Sequence, residues 1–392
     1  MAEQPFSRRR ALGLGFSTAG AALLAGLAGC GAPTSPPGVG SATTAEFTAR
    51  LDVPAPLETR QLTVGFVPIT CAAPLVNAAA LGVFAQYGLD VTLRRYTGWA
   101  ELWTAYVAGE LDATQMLAPM PLAIHYGFAS GQRDTRVPLV TNTDGNSITV
   151  SRELHGEIAG PQDFAGLRLG LPFDYSMHNL LTRDYLAGAG IDPTADVDLR
   201  IMRPADMVSA LSVGEIDAFC LPDQFSQRAV AEEVGVIHTS TAEIWAGHPC
   251  CCFSVAEDFA TSHPTTYTAL VSALVDAALW TDAQDNRAAS AELLSPAGRL
   301  NTPQPVLDAV LTGDYQDGTG RRRRDPDRIG FQPYPHQSFG VWILDHLQQR
   351  GLTGSARFAT AQQRELAVDE VFDPDTSRPL VAALDGNIEE AA

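Results

Sequence analysis

LTVGFVPITCAAPLVNAAALGVFAQYGLDVTL, residues 62–93, is the stretch that decides the fold. Its first part, Leu62 to Ile69, is an unbroken apolar run of strand length, the pattern of a strand buried on both faces. Ala73 to Tyr87 follows with helical character and is stopped by Gly88, and Asp90 to Tyr96 then alternates as a second strand. Strand, helix and strand in that order is the unit from which parallel sheets are built, so the class is α/β.

The same alternation continues down the chain. A helix from Trp99 to Val107 closes at Gly109, a short strand near Asp112 to Met116 follows, and a helix from Pro119 to Tyr126 starts with proline where a first turn accepts it. Val137 to Thr143 and Ile148 to Ser151 are strands separated by a turn-forming Asp-Gly-Asn. A second run begins at Leu167 to Leu171, with strands at Val197 to Met202, Ile216 to Leu221 and Val236 to His238, and helices at Ser176 to Ala187, Ala205 to Val213 and Gln224 to Glu233. After Cys250 to Val255 the chain turns helical, at Thr265 to Trp280, Arg287 to Leu294, Pro303 to Leu311 and Val341 to Gln349. Two α/β units with a helical return predict two lobes on largely parallel sheets, joined by crossings near 149 and 252. Ligands in such folds sit between the lobes, at the carboxyl ends of strands.

The N-terminus bears on location. Ser7-Arg8-Arg9-Arg10 precedes an apolar small-residue run that ends Leu27-Ala28-Gly29-Cys30, which reads as a signal peptide (1–29, twin-arginine-like) closed by a lipobox with Cys30 as the lipidated residue. Five glycines between positions 13 and 29 argue against a spanning helix. Residues 31–57 open with Gly, Pro, Ser and Thr and read as a flexible tether. The expected division is then lobe 1 over 58–149 plus 252–350, lobe 2 over 150–251, and a C-terminal extension over 351–392.

A net charge of −19 excludes general nucleic-acid binding, which needs a basic face. All 26 basic residues are arginine, so Schiff-base lysine chemistry is excluded as well. Arg321 to Arg324, the one basic run, reads as a solvated loop. With Cys30 assigned to lipid, Cys71, Cys220 and the triplet Cys250-Cys251-Cys252 remain, an odd number for a disulfide framework. Period-2 geometry would let only Cys250 and Cys252 share a face, and small apolar cysteines filling a buried strand is the simpler expectation. No catalytic triad, P-loop or standard zinc spacing is present, and no cofactor is expected.

Several segments together carry a resemblance: GFVPITCAAPL (65–75), GVFAQYGLDVTL (82–93), VAGELDATQMLAPMPLA (107–123), GNSITVS (145–151), SMHNLLTRDYLAGAGIDP (176–193), MVSALSVGEIDAFC (207–220), EIWAGHP (243–249) and YPHQSFGVWIL (334–344). With these the chain resembles the nitrate and bicarbonate ABC-transporter substrate-binding proteins, relatives of the thiamine-precursor and sulfonate binders. The resemblance implies a two-lobed type II periplasmic-binding-protein fold and a monomer anchored on the extracytoplasmic face. It also implies a small anionic ligand and an ABC permease as partners, with no enzymatic turnover. Carried across by motif, Trp99 supplies an apolar wall and opens a helix whose amides can bind an anion. Asn146 is the hinge amide, His178 a second-lobe donor, and Asp223 keeps a carboxylate where the family often has Glu-Pro-Trp. The family's lysine position falls at or near Cys251, so the obvious countercharge is missing.

The cysteine triplet admits an alternative, since a similar run marks an iron-dependent thiamine-pyrimidine synthase. Here Ser254 stands where that run ends in cysteine, and no lysine is available to carry its substrate. A pyrimidine-precursor binder, that enzyme, and an intracellular ligand sensor are therefore the competing expectations, the last opposed by the export segment.

Overall fold

A computed structural model describes residues 47–53, 55–354 and 358–389. The signal peptide, the lipobox with Cys30 and the first part of the tether lie outside the described residues. In chain order the strands are β1 (Gln61–Phe66), β2 (Asp90–Arg95), β3 (Ala113–Leu117), β4 (Thr135–Asp144), β5 (Asn146–Ser151), β6 (Arg168–Leu171) and β7 (Asp198–Ile201). They continue with β8 (Ala218–Pro222), β9 (Gly235–Ser240), β10 (Pro249–Ala256), β11 (Asp314–Gln316), β12 (Arg322–Arg324) and β13 (Ile329–Gly330). Two main sheets form: a six-stranded one ordered β13-β4-β10-β3-β1-β2, and a five-stranded one ordered β7-β6-β8-β5-β9. The chain passes from the first to the second at Gly145 and returns between Ser240 and Pro249, against expected crossings near 149 and 252.

The sheets are mixed, not largely parallel. β1 runs parallel to β2 and β3, and β6 parallel to β7 and β8, each pair joined through helices. The strands that enter from the other lobe run the opposite way: β10 is antiparallel to β3 and β4, and β5 to β8 and β9. The reason is connectivity, because β5 follows β4 through a tight turn, and parallel pairing needs a helical crossover to bring the chain back.

Local differences from the sequence reading have local causes. The helix expected over Ala73 to Tyr87 splits into Ala73–Ala80 and Val83–Gln86, because Gly82 takes a left-handed φ of 69° between them. Arg322–Arg324 is a strand, not a loop; it stays solvated, and it pairs with β11 because Asp314 and Asp317 meet Arg322 and Arg323. The expected tether is held down from Phe47 onward. Arg50 forms an ion pair with buried Asp276, and Tyr87 donates to the same carboxylate at 2.7 Å. Helices Ala361–Asp369 and Pro374–Ala383 in the C-terminal extension pack on the β4 edge, where Val137 N–H donates to Val371 O at 2.8 Å and Tyr267 Oη to Asp373 at 2.7 Å.

The lobes meet over a broad front. Trp103, in the helix Trp99–Val107 of the first lobe, lies 5.9 Å from Phe173 and 5.7 Å from Tyr175 of the second, ring centre to ring centre. Trp245 and Trp342 approach to 4.4 Å, and Arg350 and His346 both meet Asp184. Gln224, at the start of the helix Asp223–Ala231, accepts from Thr70 N–H at 2.5 Å and donates to Pro68 O at 3.2 Å. These contacts put the two lobes in a closed arrangement.

Candidate functional site

His178 sits in the first turn of the helix Met177–Ala187, which Ser176 starts by accepting Asn179 N–H at 3.0 Å. Its Nε2 lies 2.9 Å from Oδ1 of Asn146, the first residue of β5. Asn146 Nδ2 donates to Asp144 O at 3.0 Å, which turns Oδ1 toward the imidazole and makes Nε2 the donor. Nδ1 of His178 has no partner among the described residues although the side chain is buried. The structure thus brings two of the expected site residues, from a strand start and a helix start, into direct contact.

Trp99 is 2% exposed, and its indole N–H likewise lacks a partner among the described residues. It lies one helical turn before Trp103, which packs on Tyr175 three residues before His178. Gly98 precedes it without a side chain, where a Cβ would meet Glu101 Oε2 at 2.6 Å and Arg203 Cγ of the second lobe at 3.4 Å. The first turn of this helix therefore already carries a carboxylate beside its positive end, which competes with an external anion there.

Asp223 is fully buried and engaged on both oxygens. Ser147 Oγ donates to one at 2.5 Å, and Arg328 Nε to the other at 2.5 Å. The Arg328 guanidinium also stacks on Tyr315 at 3.7 Å. The carboxylate expected to face a ligand is instead a clasp between the second lobe and the segment entering β13.

Cys251 belongs to a sulfur cluster that alternation along a strand did not predict. Cys250 Sγ lies 3.9 Å from Cys251 Sγ and 3.6 Å from Cys71 Sγ, and all three sulfurs lie within 4.8 Å of one another. Neighbouring residues share a side because β10 slips register against β4 between Pro249 and Cys251 and again between Cys251 and Cys252. Cys252 turns away, toward Met116 O at 3.7 Å. The simpler expectation also has support, since all five described cysteines are buried and unbridged. Cys250 Sγ is 3.4 Å from Asn146 Oδ1, which joins the cluster to the His178 pair.

The electrostatics of the crossing are close to neutral. Burial pushes the His248 imidazole down to about 4, and burial pushes the Asp144 carboxyl up to about 7 against the hydrogen bonds it accepts. Burial also raises the Cys252 and Cys220 thiols to about 12. With no lysine in the chain, fixed positive charge at this point is scarce.

Sequence reasoning passed over Gln115, Gln224 and Arg328. Gln115 Oε1 accepts Val67 N–H at 3.3 Å while its Nε2 has no partner among the described residues. A glutamine inside an apolar strand was the available signal. A cavity of about 450 Å³ opens between the lobes, walled by Val67, Ile69, Pro204, Gln224 and Phe225, with Arg95 and Arg228 at its edge. Trp99, Asn146, His178 and Cys251 lie outside its lining.

A family model described as "NMT1-like family" matches residues 55–295. The chain is 34% identical over 357 residues to the bicarbonate transport ATP-binding protein CmpC of Synechococcus elongatus, covering 83% of this chain and 52% of that protein, so it spans about half the length of such relatives. It is 30% identical over 368 residues to the nitrate/nitrite binding protein NrtA of the same organism, covering 86% of this chain and 82% of that protein. The crystal structure of the periplasmic nitrate-binding protein NrtA from Synechocystis PCC 6803 superposes with a TM-score of 0.79 at 23% identity, over 84% of this chain and 90% of that one. The fold is accordingly the two-lobed type II periplasmic-binding-protein fold. From the family match and the NrtA likeness along most of both chains, the protein belongs to the NMT1-like family.

Proposed function

We propose that this protein is the solute-binding component of an ABC importer, exported and lipid-anchored at Cys30, that captures a small anion of the nitrate, nitrite or bicarbonate class between its lobes without turnover. One observation carries the reading. The Trp99 indole N–H, the Gln115 amide Nε2 and His178 Nδ1 are each buried without a partner among the described residues. Buried polar atoms are ordinarily satisfied, and a solute rich in acceptor oxygens would pair N–H donors such as those of Trp99 and Gln115. Support also comes from the names of the relatives, a nitrate/nitrite binding protein and a component of bicarbonate transport. Closure of the lobes would exclude water and leave a few hydrogen bonds to discriminate, and the closed form would dock on a permease.

A thermal-shift screen tests this with nitrate, nitrite and bicarbonate against an alkyl sulfonate and an aminopyrimidine. One of the three anions should raise the unfolding temperature, by roughly 3 kcal/mol of added stability at a hundredfold excess over Kd. His178→Ala should abolish that rise while folding normally. An equal rise in the variant would remove His178 from the site, and no response to any of the three anions would end the reading. For the anchor, the mass of detergent-extracted protein should show a diacylglyceryl cysteine at the processed N-terminus.

A further inference from the structure

The sulfur cluster of Cys71, Cys250 and Cys251 borders the His178–Asn146 pair through Cys250, but its ligand set is sulfur alone. We propose that these three cysteines form a binding site for one thiophilic monovalent cation, Cu(I), in three-coordinate sulfur ligation. The spacing suits it. Metal–sulfur bonds of about 2.3 Å require ligand sulfurs about 3.8–4.0 Å apart; two separations are 3.6 and 3.9 Å and all three lie within 4.8 Å, so closing on one ion needs shifts of less than about an ångström.

The ligand set is held in place before any metal arrives. Two sulfurs come from adjacent residues that the β10 register slips turn to one side. The third comes from the turn Thr70–Ala72, pinned by Ala72 N–H donating to Ile69 O at 2.9 Å and Thr70 N–H donating to Gln224. All three side chains are fully buried, so nothing but protein competes for them. Among the described residues the cluster contains cysteines alone, with no carboxylate or imidazole in the same group. Soft thiolates select soft metals, and a three-sulfur set lacks the fourth ligand that zinc takes.

Metal binding would release the protons of whichever thiols ionise on it.

The test uses the full chain, reduced and handled anaerobically, titrated with Cu(I) against the chromophoric chelator bicinchoninate. One equivalent should be withdrawn from the chelator, with a thiolate-to-copper absorption in the near ultraviolet and a first shell of three sulfur scatterers by X-ray absorption on the wild-type protein. Cys71→Ser and Cys250→Ser should each lose that equivalent, and Cys220→Ser and Cys252→Ser should keep it. The proposal is overturned if no Cu(I) is withdrawn, if Cys250→Ser retains it fully, or if folded protein holds a Cys71–Cys250 disulfide that reductant does not open. The X-ray absorption result stands even if a serine variant fails to fold. An anion response unchanged in copper-free protein separates this outcome from that of the solute-binding reading.

Discussion

At Asp144 burial and backbone conformation push in the same direction. The residue holds a left-handed φ of 53°, which asparagine tolerates as well as any side chain with a Cβ. Its carboxyl is raised to about 7 by burial, from an ordinary 3.8. An acid whose folded pKa lies above its unfolded one costs stability as pH rises between the two, so the loss develops from about 4 to 7 and is complete above that. His248, 3.6 Å away, works oppositely: burial lowers it to about 4 from 6.5, so its stability contribution is lost as pH falls from 6.5 toward 4. Asp144→Asn removes the first effect alone. The variant should be more stable than wild type by roughly 1–3 kcal/mol at pH 8, with a smaller gain at pH 5, as read from urea midpoints. A variant less stable at pH 8 would mean the carboxylate is charged and paired with imidazolium. Little of this was legible beforehand. Asp144 read as a turn residue and Cys71 as a leftover cysteine, because what sets their chemistry is contact with residues about a hundred or more positions away.

The turn between β4 and β5 is the element on which both lobes depend. Gly145 has φ 77°, and a Cβ there would meet Ile329 Cδ1 at 2.6 Å, so strain and collision coincide. Its N–H donates to Arg328 O at 2.9 Å, and its carbonyl accepts Asp223 N–H at 2.9 Å. Gly145→Ala should therefore destabilise by about 1–3 kcal/mol, seen as a lower urea midpoint with an unchanged slope. A midpoint equal to wild type would show that β13 shifts freely to make room. Asp-Gly-Asn announced a turn in the sequence, but not that it would join two sheets. The β10 register slips left no sequence signal at all, since Pro-Cys-Cys-Cys reads as an ordinary buried run and the slips are a property of its pairing with β4.

For the molecule as a whole, Gln224 is a single side chain that spans the lobes. Removing it leaves the buried Thr70 N–H without an acceptor in the closed form while costing the open form little. Gln224→Ala should thus shift the ligand-free protein toward open, with a larger radius of gyration in solution scattering. Its affinity for the stabilising anion should weaken about 5- to 150-fold, the equivalent of roughly 1–3 kcal/mol. An unchanged radius and affinity would show that closure does not depend on this bond.

Alternation of strand and helix from Leu62 onward, together with the order of its motifs, was enough to determine the α/β class and the family, because local periodicity and short motifs are properties of neighbouring residues. Only the tertiary structure decided strand direction, the engagement of Asp223 by Arg328, and the meeting of Cys71 with Cys250 and Cys251. Each of these is fixed by which distant segments share one buried space, where desolvation and packing act on groups that the linear chain keeps far apart.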